Sequence, residues 1–112
     1  MVSMDKNYLK NSIIAALQPL EPEKVVLFGS YAADTATEDS DIDIYVVSRE
    51  DFIPQSYAEN MRHYKKYSKT LKSLKREIAV DLLVHTKAMN RKFEASGSSF
   101  ARDIIENGER LI

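Results

Sequence analysis

Asp41 and Asp43, two carboxylates separated by one isoleucine, open the apolar run Ile42 to Val47. A shorter apolar run, Val25 to Phe28, ends in Gly29-Ser30, and ten residues separate Ser30 from Asp41. On a strand successive side chains alternate, so Asp41 and Asp43 share one face about 6.6 Å apart while Ile42, Ile44 and Val46 take the other. Two acids side by side at the start of a buried strand repel each other and lose hydration, which calls for a cation or a shared proton. Hard oxygens on a rigid strand suit Mg²⁺, which keeps waters and takes the rest of its shell from substrate phosphates. Gly29 admits a close backbone approach, Ser30 offers a hydroxyl, and a short helix from Tyr31 would aim free N–H groups at an anion. The stretch reads as a site for a metal-bound nucleotide.

A third acid stands in the apolar run Ile78 to Val84, where Asp81 has Ala79 and Leu83 on its own face. A lone carboxylate there needs a partner. The plain alternative to a metal is an ion pair with a lysine or arginine of the preceding helix.

Gly29-Ser30, ten residues, Asp41-Ile42-Asp43 and the later strand Asp81 together resemble the signature of the polymerase-β-like nucleotidyltransferase superfamily. The short chain around them is similar to its minimal nucleotidyltransferase (MNT) group. The resemblance implies a two-metal Mg²⁺ site held by Asp41, Asp43 and Asp81, and ATP as substrate. Gly29, Ser30 and Ser40 would position its phosphates, and Asp81 would serve as general base. It also implies an antitoxin that transfers AMP to a hydroxyl, a tyrosine's, on a HEPN-type toxin, with which it would assemble. Ala33 and Asp34 depart from the family pattern, which has a basic residue and then a glycine shortly after Gly-Ser. Two other readings therefore stand beside transfer to a toxin. One is an antitoxin that neutralises by binding alone; the other is transfer to a small-molecule hydroxyl such as an aminoglycoside's.

The elements that must position these groups follow from periodicity. Residues 3 to 18 read as an amphipathic helix capped by Ser3, with Leu9, Ile13, Ala16 and Leu17 on one stripe and Pro19 and Pro22 ending it. Val25–Phe28 and Ile42–Val47 read as strands. They must run antiparallel if Gly29-Ser30 and Asp41 line one site. A helix over about Gln55 to Glu77 is expected to bury Tyr57, Met61, Tyr64, Tyr67, Leu71 and Leu74 and to expose its lysines and arginines. Ile78–Val84 makes the third strand, in either direction. Two helices follow, the second with Phe100, Ile104 and Ile105 facing the core and Asn107-Gly108 stopping it; the tail, Glu109 to Ile112, would add a short edge strand or serve as a docking tail. The expected fold is an α/β (α+β) domain over residues 1–112, a small mixed sheet flanked by helices in the order α-β-α-β-α-β-α.

The chain has 112 residues, 44% hydrophobic and 29% charged, enough for one core. It has no cysteine, which rules out disulfides and thiolate metal sites and fits a cytoplasmic protein. No apolar stretch approaches the roughly 20 residues that span a bilayer, so no membrane partner is expected. The net charge of −1 gives no ground for direct nucleic-acid binding. Charge is nonetheless segregated: seven acidic residues and Arg49 lie between Asp34 and Asp51, seven basic residues and Glu59 between Tyr57 and Arg76. His63 and His85 show no metal-ligand spacing and are expected at the surface.

Overall fold

A computed structural model describes residues 4–112. The expected cap at Ser3 lies outside the described residues. The first helix, α1, is Lys6–Leu17, and its N-cap is Asp5, whose carboxylate accepts the Asn7 N–H at 2.9 Å. Leu9, Ile13 and Leu17, four residues apart, are fully buried. Pro19 permits only one 3₁₀ turn, Gln18–Leu20, and Glu21 at φ 51° reverses the chain into strand β1, Lys24–Phe28. A four-residue helix, α2, spans Gly29–Ala32 and so begins two residues before the expected Tyr31. Strand β2 is Ile42–Val47.

The crossover departs from the expected single helix. It breaks into α3, Tyr57–Ser68, a 3₁₀ turn Lys69–Leu71, and α4, Lys72–Lys75. Thr70 Oγ1 donates to the Tyr67 carbonyl at 2.8 Å, drawing on a carbonyl at the helix end, where the ladder tightens. The start is set by Ser56, whose hydroxyl accepts the Glu59 N–H at 3.1 Å. The buried stripe is also phased differently: His63, Tyr67, Leu71 and Leu74 are buried, whereas Tyr57 is 79% exposed. His63 is thus a core residue, contrary to expectation, with Nε2 against Ser48 Oγ at 2.8 Å.

Strand β3 is Val80–His85, shifted by two residues at its start from the expected Ile78. Helices α5, Lys87–Ala95, and α6, Ser99–Asn107, follow, capped by the Thr86 and Ser98 hydroxyls. Gly108 closes α6 because a Cβ there would collide with the Ile104 carbonyl and the Val26 side chain. The two-residue strand β4, Glu109–Arg110, supplies the expected edge.

The sheet order is β3-β2-β1-β4. β1 is antiparallel to β2 and to β4, the first pair as expected, and β3 is parallel to β2. The mixed sheet flanked by helices is the expected fold class. Alternation then builds two different faces. Val25, Leu27, Ile42, Ile44, Val46 and Val84 point into a sealed core with α1, α3 and α4. Val26, Phe28, Asp43, Tyr45 and Val47 point the other way, where α5 and α6 contribute Phe93 and Ile104. Among the described residues no helix is long and apolar enough to cross a membrane.

Candidate active site

Three elements converge on Asp43. It lies one residue inside β2, so its neighbours in the sheet are Phe28, the last residue of β1, and Asp81 of β3. In-register neighbours share a face, and the parallel ladder therefore sets the Asp81 carboxyl beside that of Asp43. Gly29, at φ 72°, covers the opposite side. A Cβ at Gly29 would overlap Asp43 Oδ2, and the left-handed backbone would strain any other residue. The glycine of Gly-Ser and the second acid of Asp-x-Asp are thus two halves of one contact.

The electrostatics follow from this packing. Partial burial first, then the charge of Asp81, the carboxyl–carboxyl hydrogen bond to Asp81 and the charge of Asp41 push the Asp43 carboxyl up to about 6 from its ordinary 3.8. Asp41 and Asp81 are exposed at the rim. Among the described residues no lysine or arginine pairs with any of the three acids, which removes the ion-pair alternative for Asp81 within that range. Nor do three acidic or imidazole groups form a ready metal cage there: Asp43 and Asp81 are brought together, and Asp41 reaches them through its field.

The loop after α2 leads from Gly29-Ser30 to Asp41. The Ser30 carbonyl accepts from the Thr35 N–H at 2.9 Å and Asp34 turns the chain at φ 59°. Ser40 Oγ accepts the Thr37 N–H at 2.8 Å, so its hydroxyl holds the turn immediately before Asp41. Asp34 does not stand as a bare charge beside Gly29-Ser30, because Lys6 Nζ pairs with it at 3.0 Å and with Glu109 at 3.0 Å. Lys6 carries no sequence signal that ties it to this end of the sheet.

Beneath the acids the same face is aromatic. Tyr45, buried, bonds Asn90 Oδ1 and His85 Nδ1, both at 2.8 Å, and burial pushes its hydroxyl above the ordinary tyrosine range. His85 is therefore held in this network, not free at the surface. Phe93 packs on Tyr45 and on His85, and Phe100 on Phe93 and Phe28. Phe100 and Ile105, expected in the core, are 47% and 52% exposed; Ala101 and Ile104 form the buried stripe of α6 instead. Sequence reasoning missed this aromatic floor, although Phe28 immediately before Gly29 was a usable sign of it.

A mixed sheet with a glycine turn against one strand acid and a second acid on the adjoining parallel strand defines a nucleotidyltransferase-type architecture. A family model for the nucleotidyltransferase domain matches residues 10–111, and the chain belongs to that family. Among solved structures it is similar to a toxin–antitoxin crystallised with AMP-PNP, at 26% identity and a TM-score of 0.60, covering 92% of this chain and 72% of that one. A mutant of the toxin–antitoxin MntA-HpeT shares the fold at 23% identity and a TM-score of 0.58, covering 92% and 71%. A nucleotidyltransferase fold from Sulfolobus solfataricus does so at 17% and 0.56, covering 94% and 77%. No curated protein sequence matches the chain.

Proposed function

We propose that the chain is a minimal nucleotidyltransferase antitoxin that transfers AMP from ATP to a hydroxyl of a toxin partner, a tyrosine of a HEPN-type protein. The observation that carries the reading is Asp43, packed against Gly29 on one side and paired in the sheet with Asp81 on the other. Family membership and the toxin–antitoxin neighbour crystallised with AMP-PNP support it.

The donor set suits Mg²⁺. It consists of hard carboxylate oxygens, and Asp43 retains a proton up to about 6 where no cation offsets its neighbours. Two or three protein oxygens leave the remaining positions to triphosphate and water, as that ion prefers. Asp41, Asp43 and Asp81 would hold it; when bound it offsets the charge of the triphosphate and of the reacting oxygens.

The residues themselves supply position and a proton acceptor. The backbone at Gly29 and the Ser30 hydroxyl steady the phosphates, and Ser40 fixes the turn that presents Asp41. Asp81, exposed beside Asp43, takes the proton as the acceptor oxygen bonds to the α-phosphorus. The bond from that phosphorus to the bridging oxygen breaks, and pyrophosphate leaves with its electron pair.

The test is transfer of label from α-labelled ATP with Mg²⁺ to proteins of a lysate shown by pull-down to contain the partner. Wild type should label one band that the Asp41→Asn/Asp43→Asn variant does not; no band would overturn transfer. One observation favours neutralisation by binding instead. Lys6, the cation reaching the phosphate side, is already held by Asp34 and Glu109, and Ala33 adds none. Toxin neutralised equally by wild type and double variant would establish that reading.

A further inference from the structure

We infer that Phe100, backed by Phe28 and Phe93, is the wall on which the base of the nucleotide donor stacks; this rests on the nucleotidyl-transfer reading above. Phe28 is the sheet neighbour of Asp43 and therefore shares the carboxylate face. The Phe100 ring lies 5.7 Å from that of Phe28 at 73° and 5.8 Å from that of Phe93 at 72°. Near-perpendicular contacts hold the ring in place yet leave 47% of the residue to solvent. Ala101 and Ile104 already bury α6 against the sheet, so an exposed ring of this size is not required by the core.

Position on the sheet assigns the occupant. Asp43 is central, with Asp81 on one side and Phe28, leading directly into Gly29-Ser30, on the other. The aromatic wall therefore stands on the phosphate side, whereas an acceptor ring would approach from the side of Asp81. A planar π-face binds any base by stacking and favours the larger purines. Phe100 is thus a positioning residue for the donor that acts through affinity and not through the proton transfer.

The test is calorimetric binding, with Mg²⁺, of ATP, ribose 5′-triphosphate and inorganic tripolyphosphate to the intact protein. Wild type should bind ATP about ten-fold more tightly than ribose 5′-triphosphate. Phe100→Leu, which keeps an apolar side chain and loses the ring, should bring ATP down to the ribose 5′-triphosphate level and leave the other two ligands unchanged. Phe100→Trp should restore the preference. Unchanged ATP affinity in Phe100→Leu, or equal loss of all three ligands, would overturn the wall while leaving nucleotidyl transfer standing. Unchanged affinity with slowed labelling of the acceptor would reassign the ring to the acceptor. A wild type that binds none of the three would remove both the wall and the transfer reading.

Discussion

The two faces of the sheet are made from alternate residues of the same strands and carry different tasks. On one, Ile42, Ile44 and Val46 are fully buried under α1, α3 and α4. On the other, Asp43 sits half-buried between Phe28 and the exposed Asp81, although Phe28 beside it and Tyr45 two residues on are buried against α5 and α6. Residues one position apart thus differ in kind: even-numbered positions of β2 stabilise, while Asp43 costs stability because its burial and its neighbours oppose its charge. Such segregation lets a sheet this small tolerate repelling acids, since the face that holds the fold together is not the face that holds them.

Substitutions on adjacent residues should break the comparison in opposite directions. Ile44→Ala should have the largest effect, lowering unfolding free energy by about 3 kcal/mol in urea titration through lost burial and a cavity. Gly29→Ala should come next, at about 2 kcal/mol, because it combines a left-handed backbone with overlap on Asp43. Asp43→Asn should abolish label transfer yet stabilise the fold at pH 7 by about 1 kcal/mol, the shift being discounted for the solvent that screens a half-buried acid. Phe100→Leu should change stability by less than about 0.5 kcal/mol, as expected for a half-exposed side chain.

pH sharpens the same contrast. Asp43 is protonated in the folded protein up to about 6 and in the unfolded chain only up to its ordinary 3.8. Its favourable contribution is therefore complete below about 4 and lost as pH rises through about 6. Burial lowers the pKa of His63 and His85, so their contribution runs the other way, present above their ordinary 6.5 and lost on acidification. The stability gap between Asp43→Asn and wild type should stand open at pH 7 and close by about pH 4 in thermal melts. A gap that is constant with pH would remove the burial and repulsion assigned to Asp43.

Much of the carboxylate face was legible because it obeys a short-range rule. Alternation put Asp43 on the face opposite Ile42 and Ile44, whereas Asp41 falls just before the strand, and the need to meet Gly29-Ser30 fixed the antiparallel pairing of β1 and β2. The direction of β3 was not legible, since a crossover of some thirty residues permits either, and it is the parallel register that sets Asp81 directly beside Asp43. The helix stripe was misphased because tyrosine and histidine occur both in cores and at surfaces; contact with Ser48, not hydrophobicity, draws His63 inward and leaves Tyr57 out. Phe100 was misplaced for the complementary reason: helical spacing identifies apolar residues but not which of them the neighbouring sheet has room to cover.

Lys6 gives the loop beside the site a sensitivity of its own. It ties α1, the Asp34 turn and β4 together, and Lys10 adds a second ion pair to Glu109. All four groups lie near the surface, where dissolved ions weaken such attraction over about 10 Å at 0.1 M. Rising ionic strength should therefore loosen the fastening between the Asp34 loop and the rest of the fold before it touches the core, making salt a gentle means of varying how firmly that loop is held while the acids stay in place.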